Sequence, residues 1–314
     1  MPDIPRNSNP QLQLWYGARK QSLQETPIGP NATSNTGEPG TGMKIAIQGE
    51  PGSFSHEAAI KLVNDALIVP FALSADAFAA LANEEVDAAA IPIENSLAGS
   101  VSEHFDLLLS NNVQVERETL LRIRHNLIGI SGATVGDIDR VFSHPVALAQ
   151  CRRFLADHPK MEAYSFYDTA GSVKQLVELR DHHAAAIASA AAARYYGADI
   201  LVANIEDNPE NYTRFFLVRR SQEGMLDSPA NKMSLAFSVE NRPGSLVAAL
   251  SELSAMGTNL TKIESRPVHG KPWEYIFYID CQIQSRDEGT RALDALRPHC
   301  AMVKSLGCYQ EAEL

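Results

Sequence analysis

From Met43 onward, apolar residues fall into short runs that alternate between the periodicity of strands and that of helices. The first predicted elements are a strand over 44–47, a helix over 54–63, a strand over 86–93 and a helix over 100–110. Ser53 is placed to cap the first helix, and Ser100 with Glu103 predicts a capping box at the second. Strand, loop and helix units in succession are typical of an α/β sheet.

The next part of the chain repeats this order. Its predicted strands lie over 113–119, 124–130, 141–143, 164–167, 184–188 and 199–203, with helices over 146–155, after 168–171 and after Ser189. We expect two lobes that cross near residues 120 and 205, a fold like that of periplasmic binding proteins. Ligands bind at the carboxyl ends of parallel strands, so the loops at 49–56, 94–99, 143–151 and 168–172 are expected to open on one cleft.

A different order follows a polar stretch over 221–231. The predicted elements are strand 232–240, helix 244–256, strand 259–267, strand 273–281, helix 287–296 and strand 301–309. This is the ferredoxin-like βαββαβ unit. Its first helix carries an apolar stripe, interpreted as core, of Leu246, Val247, Leu250 and Leu253.

These patterns predict four segments. Residues 1–42 contain six prolines and no periodic apolar pattern, which predicts a disordered extension. A two-lobed domain is expected over 43–220, its first lobe about 43–120 plus 205–220 and its second about 121–204. A linker over 221–231 and a C-terminal domain over 232–314 complete the chain.

Composition narrows the class of protein. The 314 residues are 45% hydrophobic and 21% charged, as in soluble globular proteins, and the formal net charge of −11 disfavours nucleic acid as a partner. No apolar run approaches the ~20 residues that span a bilayer, so no membrane association is expected. The four cysteines lack metal-ligand spacing and, without an export signal, predict reduced thiols in a cytoplasmic protein.

One short stretch combines chemistry with strand character. Residues 211–215 read Asn-Tyr-Thr-Arg-Phe and open an apolar run. In a strand, Thr213 and Phe215 share one face while Arg214 and Phe216 share the other. The stretch fits either the wall of a cleft or ordinary strand packing.

Several loops, considered together, resemble the ordered motif set of prephenate dehydratases. They are Gly49–Ser55, Pro92–Val101, His144–Cys151 and Asn211–Phe215. Arg242–Leu246 and Glu264–Pro267 resemble the two effector motifs of the ACT regulatory domain found on those enzymes. The resemblance covers Met43 to Tyr309.

The resemblance implies the decarboxylating dehydration of prephenate to phenylpyruvate, without a metal or organic cofactor. It also implies feedback by phenylalanine bound to paired ACT domains, in a homodimer or homotetramer. Residues 1–42 are too short and proline-rich for the chorismate mutase domain of bifunctional relatives, so a monofunctional enzyme is expected. The stretch 168–172 resembles that of arogenate dehydratases, which leaves arogenate as the alternative substrate.

The resemblance also implies roles for four residues in the reaction: Thr213, Asn95, Gln150 and Glu94. Thr213 is expected to donate a hydrogen bond to the leaving hydroxyl or to relay a proton, since an alcohol is too weak an acid to complete the transfer. Glu94 is the candidate acid, which would require burial to raise its pKa. The neutral amides of Asn95 and Gln150 suit a carboxylate that must depart, and Val146, where the family commonly has glutamine, leaves Gln150 as the amide contact.

Further candidates surround this set. The expected substrate-binding residues are Ser53, Phe54, Ser96, His144, Thr169, Arg214 and Phe215. The expected effector-binding residues are Gly244, Ser245, Leu246, Val247, Asn259, Leu260, Glu264, Ser265 and Arg266. Structural roles stay open for several of them: helix caps or braces for the serines, an ion pair for Glu94 or Arg214, a turn for His144, and a strand end for Glu264–Pro267.

Two other classes of protein are weighed against an enzyme. A solute-binding protein would share the two lobes, but it predicts an export signal and has no use for an ACT unit. A non-catalytic amino-acid sensor would keep the ACT unit, yet it would not need Asn95, Gln150 and Thr213 together.

Overall fold

The computed structural model describes residues 42–221, 229–268, 271 and 273–313. The predicted extension over 1–42, apart from its last residue, and most of the predicted linker therefore lie outside the described residues. Within the described part, no helix is long and apolar enough to cross a membrane.

The first lobe is built on a mixed sheet. Its strands are β1 (Lys44–Gln48), β2 (Leu67–Phe71), β3 (Ala88–Asn95), β4 (Gly99–Ser100), β5 (Val113–Arg122) and β11 (Tyr212–Arg220), and its helices are α1 (Phe54–Leu62), α2 (Ser74–Ala82) and α3 (Ser102–Ser110). The strand order is β2-β1-β3-β11-β5, with β4 beside β3. β11 runs antiparallel to both β3 and β5, which brings the late chain into the centre of the sheet.

The second lobe holds a separate five-stranded sheet. Its strands are β6 (Asn126–Gly129), β7 (Arg140–Ser143), β8 (Glu162–Ser165), β9 (Ala184–Ala188) and β10 (Asp199–Val202), in the order β10-β6-β9-β7-β8. Its helices are α4 (Pro145–Ala149), α5 (Arg152–Asp157), α6 (Thr169–Leu179) and α7 (Ala190–Tyr196), with a 3₁₀ turn over Val135–Asp137. β7 pairs parallel with β8 and β9, and the prediction of two α/β lobes is confirmed.

The third sheet is four-stranded, antiparallel and C-terminal. It contains β12 (Lys232–Ser238), β13 (Leu260–Pro267), β14 (Tyr275–Gln282) and β15 (Met302–Tyr309) in the order β13-β14-β12-β15, with α8 (Ser245–Ala255), α9 (Arg286–Leu296) and a 3₁₀ turn over Arg297–His299. This is the βαββαβ order that the sequence predicts. The helices pack on one face, where Leu253, Ile279 and Leu296 are fully or almost fully buried.

The other face of the third sheet packs directly on the first lobe. Tyr278, Leu306 and Tyr309 join one buried apolar cluster with Phe105 and Phe216 of that lobe. Burial of side chains of this size contributes about 1.5–3 kcal/mol each. The third sheet and the first lobe therefore share one core.

A lysine of the third sheet also caps a helix of the first lobe. Lys304 Nζ donates to the carbonyl oxygens of Leu108, Leu109 and Asn111 at 2.9, 2.7 and 2.7 Å. These carbonyls lie at the C-terminal end of α3, where helical partners are missing and a cation is favourable.

The predicted capping box at residue 100 is wrong. Helix α3 begins two residues later, at Ser102, and Val101 precedes it without a side-chain cap. Ser100 instead pairs with Glu94 in a short antiparallel bridge, and its hydroxyl donates to Glu264 of the third sheet. A long-range partner thus replaces the local one.

The helix predicted over 146–155 is two short helices. They meet at Gln150 and Cys151, where the Asp207 carboxylate accepts the amides of Arg152 and Arg153 at 3.1 and 2.9 Å. The break leaves Gln150 at the end of α4 rather than inside a helix.

On α8, which packs on the third sheet, Val247 is 67% exposed, so its assignment to the core is wrong.

Candidate active site

The centre of the candidate site is a hydrogen bond between two adjacent strands. Asn95 ends β3, Thr213 lies at the start of β11, and the two residues are paired in register. Asn95 Oδ1 accepts the backbone amides of Leu97 and Ala98 at 3.0 and 2.8 Å. Because these amides can only donate, they fix the orientation of the Asn95 amide, whose Nδ2 donates to Thr213 Oγ1 at 2.9 Å.

This arrangement leaves the Thr213 hydroxyl available as a hydrogen-bond donor. Thr213 is 8% exposed and its oxygen already accepts from Asn95. Within the described residues its hydroxyl has no hydrogen-bond acceptor, so the O–H is free to donate to a bound molecule.

The same amide connects the first lobe to the second. Asn95 Nδ2 also lies 2.8 Å from Asn211 Oδ1, and Asn211 Nδ2 donates to Gln150 Oε1 at 3.0 Å. Asn211 is fully buried. Three of the four residues expected to act in the reaction, Asn95, Gln150 and Thr213, thus join one network although they are distant in sequence.

Sequence reasoning misses two members of this network. Asn211 enters the expectations only as part of the motif at 211–215, and His125 is not among the candidates. His125 Nε2 lies 2.8 Å from Gln150 Oε1, and its ring packs edge-to-face on Phe54 at a centroid distance of 5.6 Å. Burial lowers the pKa of His125. A lone histidine inside a predicted strand carries no signal that could have found it.

Arg214 and Glu94 face away from Thr213 and Asn95. The Arg214 guanidinium is buried, with Nε 2.5 Å from Glu118 Oε2 and Nη1 2.5 Å from Asp280 Oδ2 of the third sheet. Nη2 donates to the Tyr309 hydroxyl at 2.9 Å. The geometry therefore favours an ion-pair role for Arg214 over contact with substrate.

Glu94 is engaged on the same side. Its Oε1 lies 2.9 Å from Lys262 Nζ of the third sheet, and its Oε2 lies 4.0 Å from Arg214 Nη1. Alternation along β3 turns Glu94 to the opposite face from Asn95. This placement separates the candidate acid from the Thr213 hydroxyl.

The remaining candidates for substrate binding brace backbone or core. Ser53 Oγ accepts the His56 amide at 3.3 Å, as the predicted cap of α1. Ser96 Oγ donates to Glu210 O and accepts the Tyr212 amide, both at 3.0 Å, which ties its loop to the start of β11.

On the second lobe, His144 Nδ1 accepts the Val146 amide at 3.3 Å at the start of α4, and Thr169 is the first residue of α6. Phe215 is 1% exposed inside the apolar cluster that includes Ile45 and Ala58. A structural role accounts for the surroundings of Phe215, and substrate contact by His144 and Thr169 stays a prediction.

The loop after β1 holds the two lobes together at a second place. Glu50 accepts from the Tyr167 hydroxyl at 3.0 Å and pairs with Lys174 Nζ at 3.3 Å. Ser189 Oγ donates to the Gly52 carbonyl at 2.7 Å. A Cβ atom on Gly52 would lie 2.7 Å from the Ala192 backbone, so no larger residue fits this contact.

Asp168 lies beside this contact as the cap of α6. It accepts the Gly171 amide at 2.7 Å. Burial, together with the nearby Glu50 charge, raises the pKa of Asp168 to about 6.

The candidate effector residues fall into two groups. Gly244 precedes α8 with a φ of 87°, and Ser245, Leu246, Val247, Asn259, Leu260 and Ser265 lie on the helix side or the edge of the third sheet. Glu264 and Arg266 instead face the first lobe, where Arg266 pairs with Asp106 at 2.7 Å. The described residues contain no group of three or more His, Cys, Asp or Glu side chains that could hold a metal ion.

Comparison with known proteins identifies both parts of the chain. Residues 45–223 match the prephenate dehydratase family and residues 233–297 match the ACT domain. The chain is 36% identical over 297 residues to arogenate dehydratase/prephenate dehydratase 2, chloroplastic, of Arabidopsis thaliana, covering 91% of this chain and 78% of the relative.

Two similar solved structures share the fold of this chain. Prephenate dehydratase of Arthrobacter aurescens in complex with L-Phe has a TM-score of 0.77 at 30% identity, covering 85% of this chain and 90% of that one. GqqA, described as a novel type of quorum quenching acylase, has a TM-score of 0.78 at 33% identity, covering 85% of this chain and 97% of that one.

Proposed function

Because the chain belongs to the prephenate dehydratase family, we propose that it converts prephenate to phenylpyruvate and is inhibited by phenylalanine at its ACT domain. The observation that carries the reaction is the Thr213 hydroxyl, held by Asn95 with its proton free to donate. A hydroxide leaving group needs such a donor.

The bond changes follow from the substrate. The bond between the ring and its carboxylate breaks, and its electron pair completes the aromatic ring as the ring hydroxyl departs. The products are carbon dioxide, phenylpyruvate and water. Thr213 donates to the departing oxygen, and the proton that completes the water molecule comes from solvent through this hydroxyl. One oriented donor of this kind accelerates a reaction by about 10²- to 10³-fold.

Gln150 is the proposed contact for a substrate carboxylate. Its Oε1 already accepts from Asn211 at 3.0 Å and lies 2.8 Å from His125 Nε2, so its NH₂ group is what remains to bind a ligand. A neutral amide orients the carboxylate without the strong ground-state stabilisation that a cation would give.

Arogenate is the second candidate substrate, because it carries an ammonium in place of the side-chain ketone of prephenate. The charges of Glu50 and of Asp168, which caps α6, act on each other and favour a cation near the start of this helix, although Lys174 offsets part of their charge. The Arabidopsis relative is named for both activities.

Control by phenylalanine is supported by how the ACT domain contacts the first lobe. Arg214 and Glu94 are the chain neighbours of Thr213 and Asn95, and both pair with residues of the third sheet. A change in that sheet therefore acts one residue away from the proposed reaction centre. The Arthrobacter relative was solved with L-Phe.

A homodimer or homotetramer is proposed through the same domain. β13 is an edge strand of its sheet, and Ile263 on it is 50% exposed. Val247 on α8 is also exposed, and these apolar side chains are the proposed contacts with a second copy. Ile263→Lys is expected to lower the mass measured by sedimentation velocity, and an unchanged mass would contradict this interface.

The acylase activity named for GqqA is not favoured. Acyl transfer to a serine needs a hydroxyl that a substrate can reach. Among the described residues, one serine hydroxyl contacts a histidine ring, Ser74 with His104, and each is 1% exposed. This pair lies inside the first lobe.

The deciding experiment is steady-state turnover of the full chain on prephenate and on arogenate, with and without phenylalanine. A preference for prephenate, lost in Thr213→Val and lowered by phenylalanine, is the expected result. A preference for arogenate would keep the site and change the substrate. Turnover of neither, with phenylalanine still bound, would replace the proposal with the amino-acid sensor.

A further inference from the structure

The hydrogen-bond network has one direction along its whole length. The amides of Leu97 and Ala98 occupy Asn95 Oδ1, so Asn95 Nδ2 donates to Asn211 Oδ1. Asn211 can then present only its NH₂ group to Gln150, and it does so to Oε1. Since an amide oxygen can only accept, the partner on its other side must also donate.

That partner is His125. Its Nε2 lies 2.8 Å from Gln150 Oε1 and must therefore carry a proton. Burial lowers the pKa of His125, so the ring is neutral and Nδ1 holds a lone pair rather than a second proton. The tautomer of His125 is thus set by two backbone amides at the far end of the network.

The other nitrogen of this ring is unsatisfied. His125 is 2% exposed, and its Nδ1 is buried without a hydrogen-bond partner. A buried polar atom left in this way lowers stability, and an aromatic ring without nitrogen would pack on Phe54 equally well. The position of an imidazole here is therefore not explained by packing.

We propose that His125 is a positioning residue, whose Nε2–H holds the Gln150 oxygen so that the Gln150 NH₂ group points to the substrate carboxylate. This rests on the proposed function of Gln150 as a carboxylate contact. Without the donor, the Gln150 amide loses one of the two hydrogen bonds that distinguish its oxygen from its nitrogen. The rotated amide would present an oxygen to the substrate, and two oxygens repel.

Two substitutions at His125 test the hydrogen-bond donor and the aromatic ring separately. His125→Phe keeps an aromatic ring against Phe54 and removes the donor. His125→Gln loses the ring but places an NH₂ group near the position of Nε2. We expect KM to rise about 10- to 100-fold in His125→Phe, with kcat no lower than about one third of the wild-type value, because a hydrogen bond to the departing carboxylate acts mainly in the ground state. His125→Gln is expected to recover most of this loss.

A third variant tests whether His125 acts through Gln150. In a Gln150→Ala background, His125→Phe is expected to have no further effect on KM, since the group that it positions is gone. A full additional effect there would overturn the proposal. So would a normal KM in His125→Phe, or a loss in His125→Gln as large as in His125→Phe.

The tautomer is measurable without any substrate. The ¹⁵N resonances of the His125 ring in the folded full chain are expected to show a proton on Nε2 and none on Nδ1 at neutral pH. A proton on Nδ1 would overturn the proposal even if His125→Phe failed to fold. If neither prephenate nor arogenate is turned over, this measurement still tests the direction of the network, which separates failure of this inference from failure of the proposed function.

Discussion

Asn95→Asp is the substitution that tests the proposed chemistry most sharply, because it keeps the shape of the side chain and reverses its hydrogen bonding. One carboxylate oxygen still accepts from Leu97 and Ala98. The other oxygen takes the place of Nδ2, which in the wild type lies 2.9 Å from Thr213 Oγ1, 2.8 Å from Asn211 Oδ1 and 3.2 Å from the Tyr212 carbonyl. In the variant, these three oxygens would each face a carboxylate oxygen that can only accept.

Only Thr213 can respond without breaking another contact. Its hydroxyl rotates and donates to the introduced carboxylate, which removes the proton that the substrate needs. Asn211 could turn its amide, but its oxygen would then face Gln150 Oε1. The loss of one oriented donor predicts a fall in kcat of about 10²- to 10³-fold. The unpaired acceptors predict a loss of about 1–3 kcal/mol in the free energy of unfolding.

The assay is kcat at saturating substrate, on whichever of prephenate and arogenate the wild type turns over, with urea unfolding beside it. Asn95→Ala is the matched control, since it removes more atoms yet leaves the Thr213 proton free. We expect Asn95→Ala to retain the higher kcat of the two. A kcat for Asn95→Asp within tenfold of wild type, or above that of Asn95→Ala, would refute the reasoning.

Three further substitutions test other parts of the molecule. Thr213→Val is expected to lower kcat by about 10²-fold or more while KM stays within a few-fold, because Asn95 Nδ2 still donates to Asn211 and Tyr212 and keeps its position. Thr213→Ser retains the hydroxyl and should keep most of the turnover, whereas an active valine variant would remove Thr213 from the mechanism. Asp280→Asn leaves the buried Arg214 with one carboxylate fewer and is expected to cost about 3–5 kcal/mol in urea unfolding and to weaken inhibition by phenylalanine. Its control is Glu240→Gln at the exposed Arg242 pair, where about 0–1 kcal/mol is expected, and equal losses would contradict the role of burial. For Asp168, whose pKa rises from 3.8 to about 6 on folding mainly through burial, the folded state binds a proton that the unfolded state lacks between these values, so its contribution to stability falls as pH rises and is lost above about 6. Asp168→Asn can still cap Gly171 and is therefore expected to raise stability relative to wild type more at about pH 7.5 than at about pH 5, and a pH-independent difference in urea unfolding would contradict this sign.

The sequence predicts most where the determining contacts are local. Ser53 caps α1 through an amide three residues away, as its position before the predicted helix indicates. The chain order of strands and helices in the C-terminal domain follows in the same way from the hydrophobic periodicity and from the turn residues between the elements. Ser100 shows the limit, because its hydroxyl partner, Glu264, lies 164 residues away.

The candidate site is predictable only in part. Resemblance places Asn95, Gln150 and Thr213 in one site, and alternation puts Arg214 on the other face from Thr213. Alternation does not say which face meets the substrate, because the choice depends on the Asp280 and Tyr309 side chains of the third sheet. His125 has no pattern to mark it, since its role comes from a hydrogen bond to Gln150, 25 residues further along the chain.

The contacts that Lys304 and Arg214 make between the third sheet and the first lobe matter for protein engineering. A shortened chain ending before β12 would lose the cap on the last carbonyls of α3 and expose Phe105 and Phe216 to water. We therefore expect the shortened chain to be less stable and less soluble than the intact one. If phenylalanine inhibits the chain as proposed, variants that escape inhibition are better sought by point substitution within the intact chain, and exchanging the C-terminal domain would require matched residues on both sides of its contact with the first lobe.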